Sequence, residues 1–264
     1  MFDVNLNNVP LSNYHLKGIY DYMTRMSLNS DIEKIHMGNI EYVYNNHPKG
    51  IFNYGFCKKN TSSDDILQFK EYIIANKIDI SVPVDRRDKE ISSLLLKHGF
   101  KKISTPYKAV LELKKFNFPV NQYKEILDKL SFVHVNNDDL LKQFDIVSAE
   151  IFYHDLDIIY PSLEATIKKN DENIQIFLTK YEGQTVGMSI IFKQDGMVVF
   201  WGDGVYPKYR KHGFATAQIL NRINLVKEYN PKYIIAHCMG DISKSLYSKM
   251  GFTMLGDLPL YTYE

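Results

Sequence analysis

The residues best placed to do chemistry lie in Val205–Ala217, which reads VYPKYRKHGFATA. An apolar run, Met197–Trp201, precedes them, and an amphipathic run to about Tyr229 follows. Strand, tight basic glycine turn and helix, in that order, put free backbone N–H groups at a helix start, where the positive end of the helix dipole adds to them. Such a turn can bind an anion, for example a pyrophosphate. Gly213 lets a ligand approach the backbone closely, and Ala215 keeps the surface low. Pro207 stiffens the approach and removes a donor, while Arg210, Lys211 and His212 set positive or switchable charge alongside. Taken alone, the R-x-x-G-x-A string also fits an ordinary basic strand-to-helix turn. The elements around it decide.

Upstream of the turn, Ile174–Tyr181, Val186–Phe192 and Met197–Trp201 read as three strands of an antiparallel meander, joined at Glu182–Gly183 and Gln194–Gly196. The glycines of Trp201-Gly-Asp-Gly-Val205 interrupt the third strand and suggest a bulge that splays the sheet. Phe132–Val135 reads as an earlier strand, and a helix capped by Asp138 or Asp139 runs to Phe152. A mixed aromatic and acidic segment, Tyr153–Glu164, follows, with a short helix at Glu164–Lys169. After the turn come a helix from Phe214 to about Tyr229, a buried strand at Tyr233–His237, a helix at Ile242–Met250 stopped by Gly251, and closing strands in Phe252–Tyr263.

The first half reads as a helix over Leu11–Met26 that Asp31–His36 can extend, then strands at Ile40–Tyr44 and Gly50–Lys58 around the turn residues Asn45–Pro48. A helix capped near Ser62–Asp64, an alternating stretch Lys77–Val84, a helix Asp88–His98 closed by Gly99, and two strands in Lys101–Lys114 around Thr105 and Pro106 complete it. LLLKHGFKK around Gly99 and LYSKMGFTM around Gly251 are similar and lie 152 positions apart. A repeat at that spacing means two similar domains, not a solenoid. The first copy has no glycine turn, and Asp64 and Asp65 stand at its helix start, where carboxylates repel a phosphate. Phe116–Leu130, beginning FNFP and turning helical, is the expected junction.

The chain of 264 residues carries 32 basic and 31 acidic side chains, a balance of +1 that gives no reason to expect binding to nucleic acid or to anionic membrane. Its two cysteines, Cys57 and Cys238, have no paired spacing and no ligand cluster, so a reduced, cytoplasmic setting is the simpler reading and no metal is expected. No secretory leader or spanning segment is visible; an effector exported by other means would look the same.

The second half resembles the GNAT superfamily of acyl-CoA N-acyltransferases. The signature V-x-P-x-Y-R-x-x-G-x-[GA] stands as Val205, Pro207, Tyr209, Arg210, Gly213 and Ala215, and L-Y-x-x-x-G-F stands as Leu246, Tyr247, Gly251 and Phe252. The likeness covers about Ser131–Glu264 and is fainter in the first half. It implies an α/β fold with mixed sheets: two tandem GNAT-like domains, each a mostly antiparallel central sheet flanked by helices. Residues 1–116 would form a degenerate copy without the pyrophosphate loop, and residues 117–264 the acetyltransferase domain.

The resemblance further implies acetyl-CoA as cosubstrate, with Gly204, Val205, Tyr206, Arg210, Lys211, His212, Gly213, Phe214, Ala215, Thr216 and Tyr247 around it. A backbone N–H near Val205 would polarise the acyl carbonyl. Tyr247 matches the acid position, against the alternative of a tyrosine packed on the sheet. Asp203, His237 and His154 are candidate bases, each also readable as an ordinary turn aspartate or a satisfied histidine, and a chain of waters is the other option. Many relatives carry an asparagine where this chain has Gly240, which puts one contact to the pantetheine arm in doubt. Cys238 reads as a buried inert thiol. The acceptor-facing segment would be Tyr153, His154, Asp155, Asp157 and Tyr160, suited to a cationic small-molecule or peptide amine. A non-catalytic acetyl-CoA-binding scaffold is the competing reading. An aminoacyl-tRNA-dependent transferase is disfavoured by Arg210–Ala215 and by the charge balance.

Overall fold

The computed structural model describes residues 11–32, 34–43, 53–104 and 106–263. In chain order the elements are α1 (Leu11–Asn29), β1 (Ile35–Met37), β2 (Ile40–Val43), β3 (Tyr54–Cys57), α2 (Ser63–Ala75), β4 (Val82–Pro83), α3 (Lys89–Lys97), β5 (Lys101–Ser104) and β6 (Tyr107–Glu112). Two short 3₁₀ turns, Leu113–Lys115 and Val120–Tyr123, lead into α4 (Lys124–Lys129), β7 (Leu130–His134), α5 (Asp138–Phe152) and α6 (Tyr160–Lys168). Then come β8 (Ile174–Tyr181), β9 (Gln184–Gln194), β10 (Met197–Val205), α7 (Phe214–Val226), β11 (Tyr233–Cys238), α8 (Asp241–Lys249), β12 (Thr253–Asp257) and β13 (Leu260–Thr262). The turn expected at Asn45–Pro48, the strand ends at Tyr44 and Gly50–Phe52, and Thr105 lie outside the described residues.

The mixed α/β architecture with mostly antiparallel sheets is the one expected, but the chain does not divide at 116/117. One compact unit is Met1–Lys108 with Leu255–Glu264, and the other is Ala109–Met254. The reason is an exchange of strands. In one sheet β13, from the C-terminal end, lies between β4 and β5; in the seven-stranded sheet, ordered β12-β6-β11-β10-β9-β8-β7, β6 lies between β12 and β11. Each half therefore sends its last strand into the sheet of the other half. Gly99 after α3 and Gly251 after α8 take the same left-handed conformation, φ +88° and +89°, so the two copies of the repeat close their helices alike.

In the first unit, β1-β2-β3 are antiparallel, and Tyr42, Phe69, Ile73, Leu95, Phe100 and Tyr261 are among the residues of its core. Asp31–His36 does not prolong α1: Asp31 has φ +57°, which stops the helix, and Ile35–Met37 becomes β1. Lys77–Val84 yields only the short β4.

Glu41 in β2 is buried and accepts hydrogen bonds from Tyr20 Oη at 2.6 Å and Lys58 Nζ at 3.0 Å. Burial works to raise its pKa, but the bonds from Tyr20 and Lys58 outweigh it, and the net shift is downward. A lowered folded-state pKa contributes stability above the ordinary carboxylate range, near 4.3, that is lost as pH falls through the folded value. Thermal unfolding followed from pH 6 to pH 3 should therefore show a steep acid limb, which Glu41→Gln flattens.

In the second unit β7 to β10 pair antiparallel in sequence order, and β10 pairs with β11 in parallel. α5 runs over Asp138–Phe152 as expected, although its cap is Asn137, whose side chain accepts from Leu140 N at 3.0 Å. α6 begins at Tyr160, four residues before the expected start, because Pro161 takes the first turn, where its missing N–H costs nothing. Among the described residues no helix is long and apolar enough to cross a membrane.

Candidate functional site

β10 holds the centre of the site. Its register with β9 runs Trp201↔Ile190, then Gly204↔Met188, so one extra residue bulges out across Gly202 and Asp203. With β11 the pairing ends at Phe200↔Ala236. Beyond that rung the two strands part, with the rings of Trp201 and His237 edge to face at 5.5 Å where they separate. Tyr206 N donates to Val186 O at 3.0 Å, so the antiparallel alternation turns the N–H and C=O of Val205 away from β9, toward the opened side.

The bulge is fitted into place by absent side chains. A Cβ on Gly187 of β9 would come within 2.4 Å of Gly204 O, and a Cβ on Gly204 within 2.5 Å of Ile151 Cγ2 on α5. Gln218 of α7, buried, ties Gly204 O at 3.3 Å to Thr179 Oγ1 at 2.8 Å through one amide nitrogen.

From the bulge the chain makes one 3₁₀ turn, Pro207–Tyr209, and reaches α7 through Lys211 at φ +68° and Gly213 at φ +83°. Gly213 is the N-cap of α7, and no side chain caps it. The first backbone bond of the helix is Ala217 N to Gly213 O at 3.0 Å, so the amides of Phe214, Ala215 and Thr216 have no helical acceptor. Arg210 Nε donates to Val205 O at 3.1 Å, which ties the guanidinium to the end of β10; Lys211 and His212 are exposed.

The corresponding helix start in the first unit is closed. Ser62 Oγ accepts from Asp65 N at 3.1 Å, and the Asp65 carboxylate accepts from Ser62 N at 2.8 Å and from Asn39 Nδ2 at 3.1 Å. That capping box gives side-chain acceptors to the third first-turn amide and to the cap amide, where α7 has no side-chain cap at all.

Asp203, at the crest of the bulge, meets Tyr247 of α8, which donates its hydroxyl to Oδ2, and Arg222 of α7, which grips both carboxylate oxygens. Arg222 is 1% exposed, lies with its guanidinium 4.1 Å over the Phe200 ring, and also donates to the Tyr247 hydroxyl at 3.3 Å. Burial, then the Asp203 charge, pushes the Tyr247 phenol well above its usual pKa, with Arg222 pulling the other way. Tyr247 is thus fully protonated at any ordinary pH. The edge of Phe252 packs on its ring at 4.8 Å.

No protein-family model matches the sequence, and no curated protein matches it. Solved structures do. A GCN5-related N-acetyltransferase from Kribbella flavida superposes with a TM-score of 0.69 at 11% identity, over 97% of this chain and 96% of that one. Another, from Sphaerobacter thermophilus, gives 0.61 at 12% identity over 85% and 76%. A tandem GNAT protein from the clavulanic acid biosynthesis pathway gives 0.57 at 10% identity over 97% of both chains. The chain has the GCN5-related N-acetyltransferase fold.

Within that GCN5-related fold the site residues read from the sequence fall into three groups. Gly204, Val205, Tyr206 and Arg210–Thr216 are contiguous along the bulge and helix start, with Asp203 and Tyr247 beside them. The His237 ring lies against Trp201. The third group lies after α5. There His154 is engaged on both ring nitrogens, Nδ1 with Asp155 O at 2.7 Å and Nε2 with Ser148 Oγ at 2.8 Å. Since Nδ1 can only donate to a carbonyl, Nε2 of the neutral ring accepts from the serine. Tyr153 is 81% exposed at φ +58°, and Asp155 and Asp157 are exposed. Tyr160 Oη donates to Asp138, so its hydroxyl is turned to α5.

Burial, aided by the Asp203 charge, pushes the Cys238 thiol up to about 12, which fits an inert sulfur. Among the described residues no cluster of His, Cys, Asp and Glu could hold a metal ion. Arg222, Gln218 and Gly187 were not singled out by sequence reading. Each carried a signal: two long polar side chains within the apolar face Ile219, Leu220, Ile223, and a glycine inside a strand pattern.

Proposed function

We propose that this chain is an acetyl-CoA-dependent N-acetyltransferase whose second unit alone is active, the amine attacking the thioester directly in a ternary complex. The observation that carries this is the uncapped start of α7 beside the bulge of β10, set against the self-capped start of α2. A diphosphate fits the open amides of Phe214–Thr216 with the Arg210 guanidinium and the dipole end of the helix. When bound, acetyl-CoA supplies the electrophilic thioester carbonyl. The outward N–H of Val205 is the donor aimed at a carbonyl lying in the opening between β10 and β11.

Tyr247 then acts as a hydrogen-bond donor, not a full proton source. A thiol has an ordinary pKa of about 8.5, below that of this buried phenol, so complete transfer to a thiolate runs uphill. Turning its O–H from Asp203 toward sulfur stabilises the departing charge, while Arg222 holds the phenol oxygen. As the N–C bond forms and the C–S bond breaks, the amine's proton passes through water to the sulfur, and coenzyme A leaves as the thiol. Asp203, with both oxygens engaged, orients Tyr247 and Arg222 in place of serving as the base. The acceptor is a small-molecule or peptide amine: Asp155 and Asp157 offer negative charge to an ammonium group, and the open face of Tyr153 offers a surface for its carbon skeleton.

A second reading, an acyl-CoA-binding protein without turnover, is favoured by one fact: the Tyr247 hydroxyl already has a carboxylate partner. Calorimetry with acetyl-CoA and thiol release across an amine panel separate the two. The enzyme reading expects heat and turnover, and it expects Tyr247→Phe to keep acetyl-CoA affinity but lower kcat roughly ten- to a hundredfold, the worth of one hydrogen bond to a charged group. Heat without thiol release for any amine would leave only the binding protein.

A further inference from the structure

We infer that Asp145 and Ser148, on the buried face of α5, clamp the loop Tyr153–Asp157 into one shape, and that Asp145 is the positioning residue through which this loop selects its amine. This rests on the transferase reading above, in which the loop faces the acceptor. The end of α5 lies against the bulge: Ile151 is the residue that a Cβ on Gly204 would strike. Burial, then the charge of Glu150 on the same turn, raises the pKa of the Tyr206 phenol. The loop therefore starts beside the strand segment that carries Val205.

Asp145 and Ser148 stand three positions apart among Leu141, Phe144, Val147 and Ile151, and are 3% and 0% exposed. A helix face built for packing alone would carry apolar side chains at both positions. Both polar groups are directed at the loop instead. Asp145 Oδ2 accepts from Asp157 N at 2.8 Å, and Ser148 Oγ donates to His154 Nε2 at 2.8 Å. The other carboxylate oxygen of Asp145 is buried and has no hydrogen-bond partner among the described residues. Burial, the largest influence, raises the pKa of Asp145, against the pull of the Asp157 N–H. A carboxylate held there is a cost to the fold, not a gain. What it secures is the loop. Tyr153 at φ +58° and Asp157 at φ +65° take a backbone conformation uncommon outside glycine, and Tyr153 and Leu156 are left 81% and 55% exposed. Apolar side chains presented on a fixed backbone form a ready-made wall. Such a wall loses no freedom when an amine docks and admits only the carbon skeletons that fit it.

Thiol release with a panel that includes tryptamine, spermidine and a lysine-containing tripeptide tests this on Asp145→Leu and Asp145→Asn. Asp145→Leu should raise the acceptor KM about tenfold or more, the scale of one hydrogen bond to a charged group, and flatten the preference among the amines. Its kcat at saturating acceptor and its acetyl-CoA affinity by calorimetry should stay within about twofold of the unaltered chain. Hydrogen exchange at the Asp157 amide should quicken, and the thermal midpoint should hold or rise, since a buried charge has gone. Asp145→Asn should restore the acceptor KM, because its side-chain carbonyl still accepts from Asp157 N. If Asp145→Leu lowers the thermal midpoint and acetyl-CoA affinity along with the rest, the residue supports the fold and positions nothing. An unchanged acceptor KM overturns the clamp as well. So does an asparagine chain as impaired as the leucine one, because the charge of Asp145, not its bond to the loop, would then be at work. These outcomes leave the transferase reading in place. No thiol release from any amine with the unaltered chain removes that reading and the clamp's role together.

Discussion

Asp203→Asn should lower the stability of the second unit by about 3–5 kcal/mol, because it leaves the Arg222 guanidinium buried with no anion. Arg222 is 1% exposed, while the Asp203 side chain keeps 23% of its surface, so the two partners are not equivalent. Arg222→Met should cost less: the orphaned carboxylate keeps water on one side and the Tyr247 hydroxyl on the other. Replacing both groups should recover much of the loss, since a well-packed neutral pair forgoes the desolvation that the ion pair had to offset. Trp201, the only tryptophan in the chain, stands beside Asp203 in β10 and gives a fluorescence signal local to this unit. Denaturant titrations of the two single variants and the double variant, read at Trp201, complete the cycle. Strict additivity would mean that Asp203 and Arg222 are not energetically coupled, and Asp203 would return as a candidate base.

The features legible in the sequence were those set by neighbours in the chain. Lys211–Thr216 could be read because a turn ending in a left-handed glycine and opening a helix is fixed by Gly213 itself. The bulge was legible from Gly202 and Gly204, and α5, α7 and β8 from their periodicity. What the sequence hid was partner choice. Tyr107–Glu112 and Leu260–Thr262 look like local closing strands, and nothing in either states that it joins the other half's sheet. That is decided by edges vacated far along the chain. The contact of Asp203 with Tyr247 spans 44 positions, and each residue alone looks like a turn aspartate or a packed tyrosine. The helix start of α2 lies between the two cases: Ser62, Ser63 and Asp64 are the capping candidates in the sequence, and Ser62 is the cap, but its reciprocal partner is Asp65, one residue beyond them.

That comparison between the two helix starts yields the sharpest test of the anion site. Gly213→Asp gives α7 what α2 already has, an acceptor side chain at the N-cap position, where Ser62 accepts from Asp65 N, and adds a negative charge to it. Aspartate and asparagine both tolerate the left-handed region better than other residues, and both meet Ile126 Cδ1 equally, at 2.7 Å from the new Cβ. The two substitutions therefore carry the same steric cost and differ in charge. Gly213→Asn should weaken acetyl-CoA binding moderately through crowding and partial capping. Gly213→Asp should weaken it further, on the order of a hundredfold relative to the unaltered chain, because a fixed negative charge competes for the donors and repels the diphosphate. The additional loss should shrink as salt is raised, since the repulsion is partly exposed to solvent. Thermal stability should fall no further in the aspartate variant than in the asparagine one, as a carboxylate at a helix start is favourable to the fold. If calorimetry finds that the aspartate chain binds acetyl-CoA as tightly as the asparagine chain, no anion rests on the start of α7, and the transferase must use its fold some other way.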